Sequence, residues 1–337
     1  MKQGRFKKYT LAAIVVGTAS FAFAMSASAE NWRFASKMPP ESPEGKVFQY
    51  FADEVAKRSK GELTVKVFPS EQLGKSKAVL EQLQRGTIHI YGEGPGWLAK
   101  WAKEMAWVYP RFVFKDRESW VRFMNSDLVS GWRKRAEAAS GVRVLGDITG
   151  VMRGPYRVVV SNKPLAKIED FKGLKMRQAN NRTGVLTWTA LDVEVRTLPW
   201  TDTYQSIKSG IVESVTSPAA LVESMRFYEV APYVIRLDAF YQAIAFMMNG
   251  KAFDNLSKEK QQILLDAHAA ASAYSHKVME DAVTGSFARM KKQGAKFSVI
   301  DPAAFVERTK ELLKQWKAEG ELPEGFLEAA AKANAGS

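Results

Sequence analysis

Strand-like and helix-like patterns alternate along the chain from position 30 onward, and this alternation constrains the fold more than any other feature of the sequence. The segments "ELTVKVF" and "TIHIYG" have the character of strands. Residues 75–85 predict an amphipathic helix that Gly86 closes. Residues 44–58 predict another, whose apolar face consists of Val47, Phe48, Phe51 and Val55. Alternating strands and helices predict an α/β architecture with a largely parallel sheet.

The middle of the chain repeats this pattern. The segments "VRVLGDI", "YRVVVSN" and "EVRTLP" predict strands, and residues 181–191 and 201–209 predict helices. A long helical pattern from Ser257 to about Gln293 predicts a brace across two units. The Ala- and Gly-rich tail at 321–337 is expected to fray. The sequence therefore predicts two α/β units.

We divide the chain into a leader and two domains. Residues 1–29 are assigned to a signal peptide, residues 30–154 plus 243–280 to α/β domain I, and residues 155–242 plus 281–337 to α/β domain II. Small ligands bind preferentially in clefts between domains and at the carboxyl ends of strands in open α/β sheets. We therefore expect a ligand cleft between the domains, with the long C-terminal helix bracing them.

The first 29 residues have the order of features that is typical of a secretory signal peptide. Four Lys and Arg residues fall within the first eight positions, an apolar stretch runs from Tyr9 to about Ala24, and Ala27, Ser28 and Ala29 supply a small–x–small site. The alternative is an uncleaved membrane anchor, but the apolar stretch is shorter than the ~20 residues of a bilayer span. We predict cleavage after Ala29 and a periplasmic protein.

Charge and cysteine content narrow the classes of partner and site. The chain has 337 residues and a formal net charge of +13, and four of these positive charges lie in the predicted signal peptide, which leaves +9. A net positive field favours anionic partners, and the interspersed acids favour a small acidic molecule over nucleic acid. The absence of Cys excludes disulfides, Cys nucleophiles, thiolate metal sites and lipid attachment to a Cys.

No catalytic or metal-binding motif is present in the sequence. The three histidines are His89, His268 and His276, and none belongs to an H-E-x-x-H pattern. The chain also lacks a G-x-S-x-G elbow, a G-x-G-x-x-G loop between a strand and a helix, and a P-loop. We therefore assign no catalytic residue, no metal ligand and no cofactor, and interpret the histidines as structural or surface residues.

Two segments in the middle of the chain are its most informative motifs, "YRVVVSNKPLAKIEDFKGLKMRQAN" and "VRTLPWTDTYQSIKSGIVESVTSP". Together with the opening "SPEGKVFQYFADEVAKRSKGELTVKVFPSEQLGKSKAVLEQLQRGTIHI", they resemble the DctP-type solute-binding proteins of TRAP (tripartite ATP-independent periplasmic) transporters. The resemblance covers roughly residues 32–270. It implies a two-domain periplasmic binding protein, similar to class II, that closes on its ligand. It also implies integral membrane subunits as partners and transport driven by an ion gradient.

The resemblance further implies ligand-contacting residues. Arg177, in "GLKMR", would clamp the ligand carboxylate, because a planar guanidinium makes two parallel charge-assisted hydrogen bonds to a carboxylate. Arg157 would add positive charge and Asn180 a polar contact. Trp200 would pack on the ligand, and Glu93 would line the other domain's side of the cleft.

Each of these residues also has a structural alternative. Arg177 is then a surface strand residue paired with Glu169 or Asp170. The alternatives for the other candidates are a solvent-facing strand charge at Arg157, a core tryptophan at position 200 and a loop acid at position 93.

The sequence departs from the family pattern at two positions. Ser217 stands where a ligand-contacting Asn is usual, so the predicted site has a smaller hydroxyl in place of an amide. Arg111 falls where an apolar residue is usual. Lys37, Phe240 and Tyr241 lie in segments near the predicted cleft, and we assign no role to them.

These features predict a periplasmic solute-binding protein that captures a small organic acid and delivers it to a TRAP-type transporter. The predicted protein is a monomer and not an enzyme, and it binds no nucleic acid. The alternatives are the ligand-binding component of a sensor system, an exported enzyme that acts on an organic acid, and a protein whose positive face binds an anionic membrane or polymer.

Overall fold

The computed structural model describes Met1 and residues 30–336, so the predicted signal peptide and its cleavage site lie outside the described residues. Two six-stranded sheets, connected and covered by helices, make up this part of the chain. No helix among the described residues combines the length and the apolar character that a membrane crossing requires. The predicted α/β class with two units is confirmed by these two sheets.

The first sheet has the strand order β2-β1-β3-β11-β4, and the short β5 pairs with β11. Strands β1 to β3 run parallel to one another, and β11 runs antiparallel to β3 and to β4. The strands of this sheet are β1 (Glu30–Ala35), β2 (Leu63–Phe68), β3 (Ile90–Glu93), β4 (Val142–Leu145), β5 (Val151–Met152) and β11 (Ala243–Asn249).

The second sheet has the order β12-β10-β6-β9-β7-β8. Strand β7 is parallel to β8 and β9, whereas β6 is antiparallel to both β9 and β10. Its strands are β6 (Arg157–Ser161), β7 (Lys175–Gln178), β8 (Glu194–Thr197), β9 (Ser214–Pro218), β10 (Tyr233–Arg236) and β12 (Lys296–Val299).

The expected largely parallel sheet is therefore wrong, because both sheets are mixed. Strand β11 enters the first sheet directly from the second, so no helical crossover forces it to run parallel to its neighbours. The chain passes from the first sheet to the second after β5, returns after β10 and leaves again after β11. The domain boundaries assigned from the sequence stay a prediction.

The described residues contain ten α-helices, of which α1 to α8 lie between strands and α9 and α10 follow the last strand. Short 3-10 helices are Pro95–Lys100, Lys103–Val108, Ile168–Phe171, Ala219–Leu221 and Phe227–Glu229. The α-helices are α1 (Pro43–Arg58), α2 (Ser76–Arg85), α3 (Arg117–Met124), α4 (Asp127–Ser140), α5 (Arg182–Ala190), α6 (Thr203–Lys208), α7 (Gly250–Asp254), α8 (Lys258–Lys292), α9 (Ala303–Ala318) and α10 (Phe326–Ala335).

The long helix α8 agrees closely with its prediction from the sequence. Ser257 caps it by accepting a hydrogen bond from the backbone N–H of Lys260 at 3.2 Å, and it ends before Gln293. A helix of 35 residues is about 52 Å long. It packs on α1 and β5 of the first unit and on the 3-10 helix Ala219–Leu221 of the second. These contacts place α8 across both units.

The C-terminal tail does not fray as its composition predicts. Residues 326–335 form α10, and the ring of Phe326 is fully buried. Its centroid lies 5.2 Å from that of Trp107 and 5.6 Å from that of Phe123. One aromatic anchor offsets the fraying tendency of the small residues around it, because burying a large side chain contributes about 2 to 3 kcal/mol.

His268 is a buried histidine on α8. Its ring packs edge-on against Phe246, with 5.1 Å between centroids, and a Cβ on Gly146 would lie only 2.4 Å from His268 Nδ1. Nε2 has no hydrogen-bond partner among the described residues. Burial lowers the pKa of His268 to about 4. The ring is therefore held neutral in the core.

We expect the free energy of unfolding to fall as the pH is lowered from about 6.5 to about 4. The unfolded chain takes up a proton near the ordinary pKa of 6.5, whereas folded His268 does so only near 4. The loss from this residue is roughly 1 to 3 kcal/mol and levels off below pH 4. Urea unfolding of His268→Gln and of the unsubstituted protein, each at several pH values, measures this loss. The dependence of the unfolding free energy on pH should be weaker in His268→Gln and unchanged in His276→Gln, a substitution on the same helix. Equal pH dependence in all three proteins would contradict the role given to His268.

Candidate functional site

An open cleft lies between the two sheets and encloses about 690 Å³, including solvent at its mouth. The first unit contributes Lys37, after β1, and Glu93, at the end of β3. The second unit contributes the ends of β6, β7 and β9 and the loop after β8. The cleft therefore lies where strand ends of both sheets meet.

Most of the residues selected from the sequence line this cleft. They are Arg157 on β6, Arg177 on β7, Asn180 in the loop after β7, Trp200 in the loop after β8, and Glu93 on β3. The structural alternative for Arg177 does not hold, because its side chain is only 6% exposed and Asp170 instead accepts hydrogen bonds from the backbone of Ala166 and Lys167.

Ser217 is the exception among the selected residues, and its assignment to the cleft is corrected. It is fully buried within β9, and its hydroxyl donates to the carbonyl of Pro218 at 3.0 Å. Its neighbours Thr216 and Pro218 line the cleft instead, because successive side chains of a strand point to opposite faces. Tyr241 is also outside the cleft, whereas Lys37 and Phe240 line it.

A buried ion cluster forms one wall of the cleft. Arg153 makes a bidentate pair with Glu44, with Nε–Oε1 at 2.9 Å and Nη2–Oε2 at 2.8 Å, and also pairs with Glu93. Lys37 pairs with the second oxygen of Glu93. The side chains of Arg153, Glu44 and Glu93 are at most 4% exposed. We call Lys37, Glu44, Glu93 and Arg153 the ion quartet.

The quartet is electrically balanced, since two cations face two carboxylates. Burial raises the pKa of Glu44, whereas Arg153 and Lys37 hold the pKa of Glu93 below its usual range against the effect of burial. Arg153 itself has a raised pKa because the charges of Glu44 and Glu93 outweigh burial. Glu93 thus has cationic partners of its own and positions Lys37 and Arg153 at the cleft.

Arg177 presents its guanidinium to the cleft with no carboxylate beside it. Its single hydrogen bond within residues 30–336 runs from Nε to the carbonyl of Leu198 at 2.9 Å. The guanidinium lies 5.3 Å from the centroid of the Trp200 ring, and Nζ of Lys37 lies 5.8 Å from the same ring. Burial lowers the pKa of Arg177 to about 10.

Two further arginines meet at Phe240. The guanidinium carbons of Arg111 and Arg157 lie over its ring, at 4.3 and 4.1 Å from the centroid. Arg157 donates to Gln242 Oε1 at 2.9 Å and to the carbonyl of Thr216 at 3.3 Å. Within the part of the chain that the structure describes, neither arginine has a salt bridge and the Nε of each has no hydrogen-bond partner.

The pKa values of these two arginines reflect the missing counter-charge. Burial lowers the pKa of Arg111 to about 9. The pKa of Arg157 falls well below its ordinary value, first because of burial and then because of the nearby charges of Arg111 and Arg153. Since a guanidinium stays protonated in proteins, both positive charges are unfavourable where they are buried, and a nearby anion would relieve this cost.

The sequence did not indicate Arg153, Glu44 or Gln242 as site residues, and it marked Arg111 only as a departure from the family pattern. Glu44 and Arg153 are 109 positions apart, so local patterns give no indication that they meet. Arg111 is the one with a usable signal, because a charge at a position that is usually apolar implies a specific partner or ligand. No group of three or more acidic or histidine side chains suited to a metal ion occurs among the residues described.

Polar contacts join the two units at the rim of the cleft. Thr201 donates to Glu71 Oε2 at 2.6 Å, and Lys75 Nζ lies 2.7 Å from Thr201 Oγ1 and 3.0 Å from Asp202 Oδ1. Glu71 and Lys75 belong to the first unit and the other two residues to the second. The contact between Lys75 and Asp202 is exposed and therefore weak.

Comparison with known proteins finds one family across most of the chain. The profile described as bacterial extracellular solute-binding protein, family 7 (DctP), matches residues 34–319. The 2,3-diketo-L-gulonate-binding periplasmic protein YiaO of Escherichia coli is 24% identical over 302 residues, covering 89% of this chain and 90% of that protein. The C4-dicarboxylate-binding periplasmic protein DctP of Rhodobacter capsulatus is 25% identical over 293 residues, covering 84% and 85%.

Solved structures show the same fold. A TRAP periplasmic solute-binding protein from Sulfitobacter sp. NAS-14.1 with bound β-D-galacturonate superimposes with a TM-score of 0.81 at 23% identity, covering 91% of this chain and all of that one. One from Ochrobacterium anthropi with bound L-fuconate gives a TM-score of 0.82, also at 23% identity, with coverage of 91% and 100%.

Proposed function

Because this chain belongs to family 7 of the bacterial extracellular solute-binding proteins, we propose that it captures a small organic acid in its cleft and delivers it to a TRAP-type transporter. The family is one of solute binding rather than of catalysis. The function predicted from the sequence therefore agrees with the family, and the class of ligand follows from the cleft.

The observation that carries the proposal is the convergence of three buried guanidinium groups on one cleft. Arg111, Arg157 and Arg177 are each 9% exposed or less, and none has a carboxylate partner among the described residues. A buried charge without a partner is costly, and an anion that enters the cleft removes part of that cost. The ion quartet provides no spare negative charge, because its carboxylates already face Arg153 and Lys37.

The relatives support an acid as the ligand. The names of the two curated relatives give diketogulonate and C4-dicarboxylates, and the two solved structures hold galacturonate and fuconate. All of these are carboxylates. We therefore infer a carboxylate for this chain as well.

In the proposed complex each lining residue has a definite role. Arg177 forms the two-point contact with the carboxylate, and Trp200, beside it, covers an apolar face of the ligand. Asn180 and Thr216 orient polar groups, and Thr216 takes the part first given to Ser217. Closure is a hinge motion of the two units, with α8 flexing as the units approach each other.

The other parts of the proposal, which concern export, oligomeric state and partners, rest on the features of the sequence. The protein is exported, its leader is cleaved after Ala29, and the mature form is a monomer that does not transform its ligand. Its membrane partners are the integral subunits of a TRAP transporter.

Thermal unfolding of the purified protein with panels of carboxylic acids and of neutral sugars tests the proposal. A ligand that binds only the folded state at ~100 times its Kd stabilises it by about 2.7 kcal/mol and raises the melting temperature. We expect such a shift from one class of carboxylates, with the acid recovered unchanged by mass spectrometry. Shifts from neutral sugars alone, or chemical conversion of the bound acid, would contradict the proposal.

A further inference from the structure

The arginines of the cleft occupy two separate positions. Arg177 lies beside Trp200, and the charges that act on it are those of Glu93, Glu71 and Asp202. Arg111 and Arg157 lie over Phe240, and Arg157 is affected by the charge of Arg111. Among the described residues, neither position has a carboxylate in salt-bridge contact with its arginines, so each can accept an anionic group.

Arg111 is held firmly in place without being neutralised. Its Nη1 donates to the carbonyl of Tyr109 at 2.7 Å and to Asn181 Oδ1 and Thr183 Oγ1 at 3.1 Å each. All three acceptors are neutral, so these bonds fix the orientation of the guanidinium and leave its charge uncompensated. The side chain is 3% exposed, and Nε has no hydrogen-bond partner among the described residues.

The surroundings of Arg111 add further positive potential. Its guanidinium lies against the first turn of α5, where a Cβ on Gly184 would come within 2.6 Å of Arg111 Nη2. The N-terminus of a helix carries a partial positive charge, although here the backbone N–H of Gly184 already donates to the N-cap Asn181 Oδ1 at 2.9 Å. A second cation, Arg157, faces the same aromatic ring. An anionic group at this position would gain from all three.

We infer that Arg111 and Arg157, with the first turn of α5, form a second anion position in the cleft, so that the ligand is a dianionic organic acid. One carboxylate lies at Arg177, and the second anionic group, a carboxylate or a phosphate, lies at Arg111. A monoanion would leave two of the three buried arginines without a counter-charge, and a dianion leaves one. This inference rests on the proposed function and specifies its ligand.

Titration calorimetry on the purified protein with matched acids tests the inference. The pairs differ in one anionic group: galactarate against galactonate, glutarate against its monoamide, and 3-phosphoglycerate against glycerate. We expect the dianion of a bound pair to bind about 10- to 100-fold more tightly, the usual effect of a hydrogen-bonded charge pair. Preference within the first two pairs identifies a carboxylate at the second position, and preference within the third identifies a phosphate.

Substitution of Arg111 assigns the preference to this residue. In Arg111→Gln the dianion and monoanion should bind within about threefold of each other, because only the contact to the second charge is lost. Arg111→Lys keeps the charge and should keep most of the preference. Arg117→Gln is the matched control, since this nearby arginine donates to the carbonyl of Thr149 and does not line the cleft. Melting temperatures without ligand verify that each variant folds.

The outcomes separate this inference from the proposed function. Equal or tighter binding of the monoanions, or an unchanged preference in Arg111→Gln, would overturn the inference and leave acid binding intact. If neutral solutes bind and neither monoanionic nor dianionic acids do, both the inference and the proposed function are wrong.

Discussion

Replacing Arg177 with glutamine should weaken acid binding by at least about 100-fold, the effect of removing one partner of a buried, hydrogen-bonded charge pair. The guanidinium has no carboxylate partner among the described residues, and its Nε is fixed on the carbonyl of Leu198. Glutamine can replace one neutral hydrogen bond but neither the charge nor the planar two-point geometry. Isothermal titration with any acid that stabilises the unsubstituted protein measures the loss.

Stability without ligand distinguishes lost binding from lost folding. Burial lowers the pKa of Arg177 to about 10, so the charge is unfavourable in the empty cleft. The melting temperature of Arg177→Gln without ligand should therefore equal or exceed that of the unsubstituted protein. Arg196→Gln is a matched control, because Arg196 pairs in register with Arg177 on the neighbouring strand but is exposed beside Glu194. Unchanged affinity in Arg177→Gln, or equal loss in both variants, would remove the role given to Arg177.

Replacing Arg153 with methionine should lower the free energy of unfolding by about 3 to 5 kcal/mol, the usual cost of leaving buried ionic partners unpaired. Arg153 is the partner of both Glu44 and Glu93, and all three side chains are almost completely buried. The loss should diminish as the pH is lowered, because Glu44, whose pKa is already raised, then takes up a proton more readily. Urea unfolding at several pH values measures both effects.

Arg143 supplies the control for this prediction. It also contacts two carboxylates, Glu137 and Asp254, but its side chain is 29% exposed and its partners are more exposed still. Arg143→Met should therefore cost about 1 kcal/mol or less. If both variants lose the same stability, burial of the quartet is not what makes Arg153 important. The double variant Glu44→Gln with Arg153→Met should recover part of the loss.

Much of the fold could be predicted because local patterns determine it. The strand and helix alternation, the cap at Ser257 and the length of α8 all depend on residues close together in the sequence. The direction of β11 does not, because it depends on where the chain returns from the second sheet. The tail was mispredicted from its composition because one residue, Phe326, anchors it.

The site was predictable to the extent that motifs mark it. Arg157, Arg177, Asn180, Trp200 and Glu93 lie on one cleft, and their contacts with a ligand stay predictions. Ser217 was misplaced because β9 is buried on both faces, so its polarity pattern does not reveal which side faces the cleft. The pairing of Arg153 with Glu44 depends on tertiary structure alone, since these residues lie 109 positions apart.

During synthesis the first sheet cannot close until residue 249 has emerged from the ribosome, because β11 is the strand that joins β3 to β4. Until then the N-terminal unit is two fragments with unpaired edges, and the second sheet still lacks β12. Long-range pairing of this kind slows folding, because the entropic cost of closing the loop comes before the stabilising contacts form. Neither sheet is therefore complete until β11 and β12, late in the chain, have been made.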